Sequence, residues 1–333
     1  MRNRIISTGC ALLLCSGFQG GMARETGGVP DRTFSARELK LPGKKGVGIT
    51  LRDPNSKQGR KAGGTWDKNM RKVESLDLSW NYSWGTKLAP GQPGAVEFIP
   101  MTWGSGGSPE KFEAFLSKNV VPDIRSGKVK RFLGFNEPDK KDQSNMPYMK
   151  AIGYWPALMK LGVPLCSPAC ANPEGVNDAS AQGVPGTWMR DFMREADARG
   201  YRVDYVGVHW YGGTSAKSFK AKMRRIYEKY GKRPLMITEF APADWQAKSA
   251  RQNRHSPARV LAFMKDVLPW MEQQDWIAGY AWFPFGIDSR VGTSSAFFRK
   301  DGTLTACGRY YKSVTPEKPA GDQGIQPDPP HHR

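Results

Sequence analysis

Apolar positions along the chain follow two alternating rhythms. Short, mostly apolar runs closing in Gly, Pro, Asn or Trp occur at Gly46–Ile49, Ser75–Trp84, Ala95–Trp103, Val129–Pro138, Val163–Asn172, Tyr205–Gly212, Pro234–Phe240 and Ile277–Phe285. Runs of that length between turn residues predict strands. Stretches of helical period separate them. Ser108-Pro109 opens one with Phe112, Phe115 and Leu116 on a single face, and Ser256-Pro257 opens another with Val260, Phe263, Met264, Val267 and Leu268; Ser followed by Pro is a helix-start signal. The 231 residues from Gly46 to Ile277 make seven repeats of 33, the size of a strand-helix unit. Eight such units predict an α/β fold, a (β/α)8 TIM barrel in a single domain. The alternative is an open doubly wound sheet, but no Gly-rich phosphate turn follows the first run.

The two ends lack this pattern. Arg2 and Arg4, the apolar Ile5–Phe18 and the small-x-small Gly21-Met22-Ala23 have the layout of a signal peptide over 1–23. The protein is therefore expected to be exported, whether secreted, periplasmic or held at the cell surface. A lipid-anchored reading would use Cys15, but Leu14 before it is large for that signal. Residues 24–45, with Gly-Gly, two Pro and scattered charge, read as a flexible tether, and 314–333, with five Pro, as a Pro-rich disordered tail. That leaves 46–313 as the single folded domain. No other stretch is long enough to span a bilayer, so stable membrane insertion is not expected.

Composition narrows the chemistry. With 333 residues, 39% of them hydrophobic, the chain has material for a sizeable core. The net charge of +19 hints at an acidic partner, but the basic residues gather in helical stretches such as Lys217–Arg233 and spare the strand ends. No nucleic-acid partner is expected. Cys10 and Cys15 leave with the signal, and Cys166 and Cys170 would lie about 13 Å apart in an extended strand, too far to bridge, so any disulfide would involve Cys307. There is no C-x-x-C or H-E-x-x-H, and two of the four His lie in the tail, so neither a metal nor an organic cofactor is expected. Serine-hydrolase and phosphate-loop motifs are missing too.

In a barrel the chemistry belongs at the C-terminal strand ends. Those ends carry Trp80 and Trp84, Trp103, Asn136-Glu137-Pro138-Asp139, Asn172, His209-Trp210-Tyr211, Glu239 and Trp282. Glu137 and Glu239 are carboxylates in otherwise apolar strands, a costly placement that needs partners. Each alone could be a buried ion-pair member. Two on strands four and seven, reaching across one mouth, suit glycoside hydrolysis, in which one carboxylic acid protonates the leaving oxygen and the other attacks the anomeric carbon from about 5 Å away. Asn136 would meet the sugar 2-hydroxyl, and His209 or Tyr211 would orient the nucleophile, although a core histidine would look the same in sequence. Of the eleven Trp, Trp80, Trp84, Trp103, Trp245 and Trp282 are candidates for stacking on pyranose faces. Trp210 is expected to face outward if His209 and Tyr211 face the cleft. Asp139, Asp204, Asp244 and Asp288 look no different from turn or cap residues.

These segments also carry a family likeness. Asn136-Glu137-Pro138-Asp139, Asp204 to Tyr211, Ile237-Thr238-Glu239-Phe240 and Tyr280-Ala281-Trp282-Phe283 follow the order found in clan A retaining glycosidases. With Asp77 to Trp84 near the start and Gly302 to Ala306 near the end, the chain resembles glycoside hydrolase family 128, whose members act on β-1,3-glucans, over about Gly46 to Tyr311. The resemblance implies Glu137 as acid/base and Glu239 as nucleophile of a retaining mechanism; an endo-acting monomer working on a polysaccharide, β-1,3-glucan, is the expectation. The linkage stays open to β-1,4-glucan or mannan, and a carbohydrate-binding barrel without turnover is the alternative from outside enzymes.

Overall fold

The computed structural model describes residues 32–52, 66–174 and 188–315. The segment assigned to the signal peptide and the tail beyond Thr315 lie outside them. Eight strands run in chain order: β1 Lys45–Gly48, β2 Trp80–Tyr82, β3 Glu97–Phe98, β4 Phe132–Leu133, β5 Leu165–Cys166, β6 Val206–Gly212, β7 Leu235–Pro242 and β8 Ile277–Trp282. Each falls on one of the apolar runs, β1 beginning one residue early and β7 ending two residues late. Six pair in the order β3-β2-β1-β8-β7-β6, and β4 pairs with β5. Parallel bridges Met101–Leu133 on one side, and Cys166–Tyr205 and Cys170–Val208 on the other, join the two sheets into a closed ring. The TIM barrel is thus present.

The helices are α1 Ala36–Leu39, α2 Trp66–Glu74, α3 Pro109–Asn119, α4 Val121–Arg125, α5 Tyr148–Met159, α6 Trp188–Ala198, α7 Ala216–Lys229, α8 Pro257–Glu272 and α9 Ala306–Ser313. Ser108 and Ser256 cap α3 and α8 as expected, accepting from the Lys111 and Arg259 amides, with Pro at the first turn. Phe112 and Leu116 are buried, but Phe115, expected beside them, is 44% exposed. None of the helices among the described residues is long and apolar enough to cross a membrane.

The core has two layers. Between strands and helices lie Phe132, Trp155, Trp188, Phe240 and Trp282 with the apolar faces of the helices. Inside the barrel lie Trp80, Tyr82, Met101, Leu133, Tyr205 and Met236. The interior fits two large aromatics from β2 because β1 presents glycine beside them. A Cβ on Gly46 would sit 2.2 Å from the Trp80 ring, and one on Gly48 2.9 Å from Tyr82.

The stretch read as tether is built into the structure over residues 36–45. Leu41 is buried against the barrel interior. The Glu38 and Lys40 carbonyls accept from the Arg131 guanidinium at 3.1 and 2.5 Å, and the Leu39 carbonyl accepts from the Tyr205 hydroxyl at 2.6 Å. Lys44 donates to the carbonyls of Met271, Glu272 and Gln274 at the end of α8. Lys45 does the same for Tyr311, Lys312 and Val314 at the end of α9. Ammonium groups there satisfy orphan carbonyls and complement the negative helix ends. The segment shows no apolar period because it docks largely through backbone carbonyls and lysine heads.

Cys166, Cys170 and Cys307 are all buried, and Cys307 forms no disulfide among the described residues. Burial pushes its thiol up to about 11 and raises that of Cys166 further.

Candidate active site

The ladders deliver the two carboxylates to one place. At the end of β4 the Asn136 amide donates to the Trp103 carbonyl at 3.0 Å and the Glu137 amide to the Ala169 carbonyl at 2.8 Å, so Glu137 is held from both sides. Its backbone is in the left-handed region, φ 39°, uncommon for a residue with a side chain and more so before proline. Trp84, past β2, has φ 54°. Such strain is characteristic of functional positions. Glu239 sits in β7, where pairing with β8 shifts register between Ile237 and Phe240.

Glu239 is 5% exposed and richly partnered. One oxygen accepts from the Trp84 indole N–H at 2.7 Å and the Tyr82 hydroxyl at 3.1 Å; the other accepts from the Tyr211 hydroxyl at 2.5 Å. Three donors offset the desolvation of a buried carboxylate. Burial first, then the Glu239 charge, holds both phenols well above their ordinary value of 10, so they stay donors. Glu137 is 7% exposed and has fewer partners, with His209 Nδ1 at 3.0 Å and Lys140 Nζ at 3.9 Å. His209 Nδ1 also lies 3.5 Å from Glu239 Oε2. The nearest donor atoms of Glu137, His209 and Glu239 all fall within 4.8 Å of one another. That trio is the group among the described residues spaced to meet on a metal ion, but the Glu239 oxygens and His209 Nδ1 are already engaged with protein partners.

Burial pulls the His209 pKa down, yet the charge of Glu239, the hydrogen bond and charge of Glu137, and Asp139 more than offset it and hold the imidazole above its ordinary 6.5. A raised folded-state pKa contributes stability that is complete below 6.5 and fades as pH climbs through the raised value. Melting temperature is therefore expected to fall over that window, and His209→Gln to remove this part of the slope. Thermal melts from about pH 5 to about pH 9 check this; the same slope in both proteins would refute it.

The carboxylates open into a cleft of about 1030 Å³ lined by Asn136, His209, Tyr211, Trp84, Trp103 and Trp245, among others. Trp103 is 43% and Trp245 55% exposed. Trp84 and Tyr211 both pack edge-on to Phe283, and Tyr211 also packs against Trp245.

Two expected sugar-stacking residues are elsewhere. Trp80 lies wholly buried inside the barrel, its indole N–H bonded to the Lys44 carbonyl near the floor. Trp282 faces outward, wholly buried, bonded to the Ser295 carbonyl and stacked on Phe297. Trp210 also faces the helices, stacked on Phe263, as its neighbours' parity predicts. Asp139 is a structural cap, accepting from the Ala171 and Asn172 amides. Sequence reasoning missed Tyr82, Lys140 and Phe283. Tyr82 had a signal: it shares the inward parity of Trp80 and Trp84, one step below Trp84.

Known proteins share this fold. A family model described as glycosyl hydrolase catalytic core matches residues 59–311. A family 128, subgroup I endo-β-1,3-glucanase from Amycolatopsis mediterranei, solved as a glutamate-to-glutamine mutant with laminarihexaose, is 25% identical with a TM-score of 0.63, covering 82% of this chain and 99% of that one. A subgroup II endo-β-1,3-glucanase from Sorangium cellulosum shares the fold at 24% identity and TM-score 0.63, over 83% and 100% of the two chains. A subgroup III curdlan-specific exo-β-1,3-glucanase from Blastomyces gilchristii does so at 24% and 0.56, over 81% and 98%. No functionally curated protein matches. Because the family model spans most of the barrel and both carboxylate-bearing strands, the chain belongs to the glycosyl hydrolase catalytic core family and is a glycoside hydrolase with family 128 structural relatives.

Proposed function

We propose that the protein is an endo-acting, retaining β-1,3-glucanase. The observation that carries the mechanism is that one oxygen of Glu137 and one of Glu239 lie within 4.8 Å, with His209 Nδ1 reaching both at 3.0 and 3.5 Å, a closeness that supports the short carboxyl spacing of retaining enzymes, roughly 5 Å, over the ~6.5 Å or more that seats a water between inverting carboxylates. Their surroundings divide the roles. Glu239, bonded by Trp84, Tyr82 and Tyr211, attacks the anomeric carbon. As the new carbon–oxygen bond forms, the glycosidic bond breaks with its electron pair moving to the leaving oxygen, which takes the proton of Glu137. Glu137 then accepts a proton from water, whose oxygen displaces Glu239 from the glycosyl-enzyme and restores both groups.

The substrate reading is supported by relatives solved with laminari-oligosaccharides, which carry substitutions at one or the other of two glutamates. Endo action is supported by exposed indoles after β3 and in the loop after β7, four places apart around the ring, so the cleft runs across the mouth. The layout of residues 1–23 supports export, and one chain holds the whole site. Reducing-sugar release across laminarin, β-1,4-glucan and mannan tests the substrate, and inactivity on laminarin would sink it. Early-time NMR of the products should show the β-anomer first; initial α-anomer would overturn retention.

A further inference from the structure

The loop after β4 turns back on Glu137. The Lys140 amide donates to the Glu137 carbonyl at 3.1 Å, closing a turn with Pro138 in its second place. Asp139, in the third place, is pinned to the loop after β5 by the Ala171 and Asn172 amides, and the Met146 amide donates to the Pro138 carbonyl at 3.0 Å. A turn fixed at these points brings the Lys140 ammonium to 3.9 Å from Glu137 Oε2, while His209 Nδ1 meets Oε1. The ammonium also lies 3.9 Å from Asp142 and 5.8 Å from the centre of the Trp245 ring. The Asp142 side chain is 73% exposed and that of Glu137 9%, so water screens the first pair far more than the second.

The two carboxylates of the site differ in this respect. Glu239 is met by neutral donors, and His209 is the cationic side chain among the described residues within ion-pair distance of it. His209 reaches both carboxylates, but Lys140 reaches Glu137 alone. In the double displacement proposed above, the negative charge begins on Glu239. It passes to Glu137 as Glu239 bonds the anomeric carbon and the Glu137 proton moves to the leaving oxygen. A cation beside the second position only gains interaction as that charge arrives, which is stabilisation of the transition state over the ground state. We propose that Lys140 is a positioning residue of the first step, meeting the charge that develops on Glu137 and so making it a more effective acid toward a sugar leaving group. This rests on the retaining β-glucanase reading.

The experiment compares the wild type with Lys140→Met and Lys140→Arg on laminarihexaose and on dinitrophenyl laminaribioside, whose leaving group departs without a proton. Met keeps most of the apolar stem, and Arg restores the charge. Of the ionisable groups facing Glu137, which are Tyr82, Asp139, His209, Tyr211, Glu239 and Lys140, only the last is altered. In Lys140→Met, kcat/KM on the hexaose is expected to fall about fivefold, with the alkaline limb of its pH profile moved up by about one unit. On the aryl glycoside kcat/KM should stay within about twofold of the wild type, because the first step there needs no acid. Lys140→Arg should return both the hexaose rate and the limb close to wild type. An equal fall on the two substrates with the limb unmoved, or unchanged kinetics in Lys140→Met, overturns the role of Lys140 and leaves the function standing. A wild type that cleaves no β-1,3-glucan overturns the function first and this inference with it.

Discussion

Replacing Glu239 with Gln is expected to lower kcat by at least about 10⁴-fold while leaving the fold intact. The amide has no charge with which to attack, yet it keeps the length of the side chain and can still accept from Trp84 and Tyr82, which meet one oxygen at 2.7 and 3.1 Å. Tyr211, 2.5 Å from the other oxygen, can turn its hydroxyl to accept from the new amide. Glu137→Gln should behave differently. Its loss removes a proton donor, worth about 10²–10⁴-fold, and the defect should shrink for an aryl glycoside whose leaving group departs without protonation. Added azide should then restore turnover and yield a glycosyl azide of β configuration, because a small anion can replace the water that Glu137 no longer activates. Steady-state kinetics on natural and aryl substrates separate the two roles, with circular dichroism to check folding. Equal losses on both substrates for Glu137→Gln would remove it from the acid/base role. Unchanged product yields in both variants would leave only a sugar-binding barrel.

Much of this site was legible because its carboxylates interrupt apolar strands. The eight strands could be read from run length and closing residues even where, as in β3, β4 and β5, the ladder is only two residues long. Side-chain direction was legible only where a strand carries polar tips. His209 and Tyr211 mark the inner face of β6, which correctly turns Trp210 outward. The end of β8 offers no such mark: Tyr280, Ala281 and Trp282 are all buried, as expected of a strand covered on both faces, so Trp282 could be assigned to either side. Parity did place Trp80 inside the barrel, but Trp80, Tyr82 and Trp84 share that parity and differ in height, and height depends on strand stagger, which spacing within one strand does not report. The left-handed backbone at Glu137 has no sequence marker at all, and the lysines at residues 44 and 45 looked like tether charge because their partners are carbonyls more than 200 positions away.

The separation of structural from substrate-binding indoles leads to the second large effect. Trp80→Ala is expected to destabilise the barrel by about 3–5 kcal/mol, the range for emptying a large buried aromatic site, while kcat/KM measured below the melting transition stays near wild type. Trp80 is wholly enclosed and bonds the Lys44 carbonyl at 2.9 Å, which also accepts from the Tyr280 amide at 2.8 Å, so its removal leaves a void far from the sugar and takes one of two donors from that carbonyl. Trp245→Ala should show the reverse, with little change in denaturant midpoint and a raised KM, because its ring is 55% exposed at the cleft. Gly46→Ala tests the same interior from the other side: its methyl would stand 2.2 Å from the Trp80 indole, and overpacking of that kind costs about 1–3 kcal/mol or more. Combining Gly46→Ala with Trp80→Leu should cost less than the sum of the two single changes, since the smaller side chain frees the space the methyl needs and contacting sites couple. Urea midpoints for the four proteins of that cycle measure the coupling. Strict additivity would mean that Gly46 and Trp80 do not share one packing site, and a raised KM in Trp80→Ala would return that indole to the substrate path.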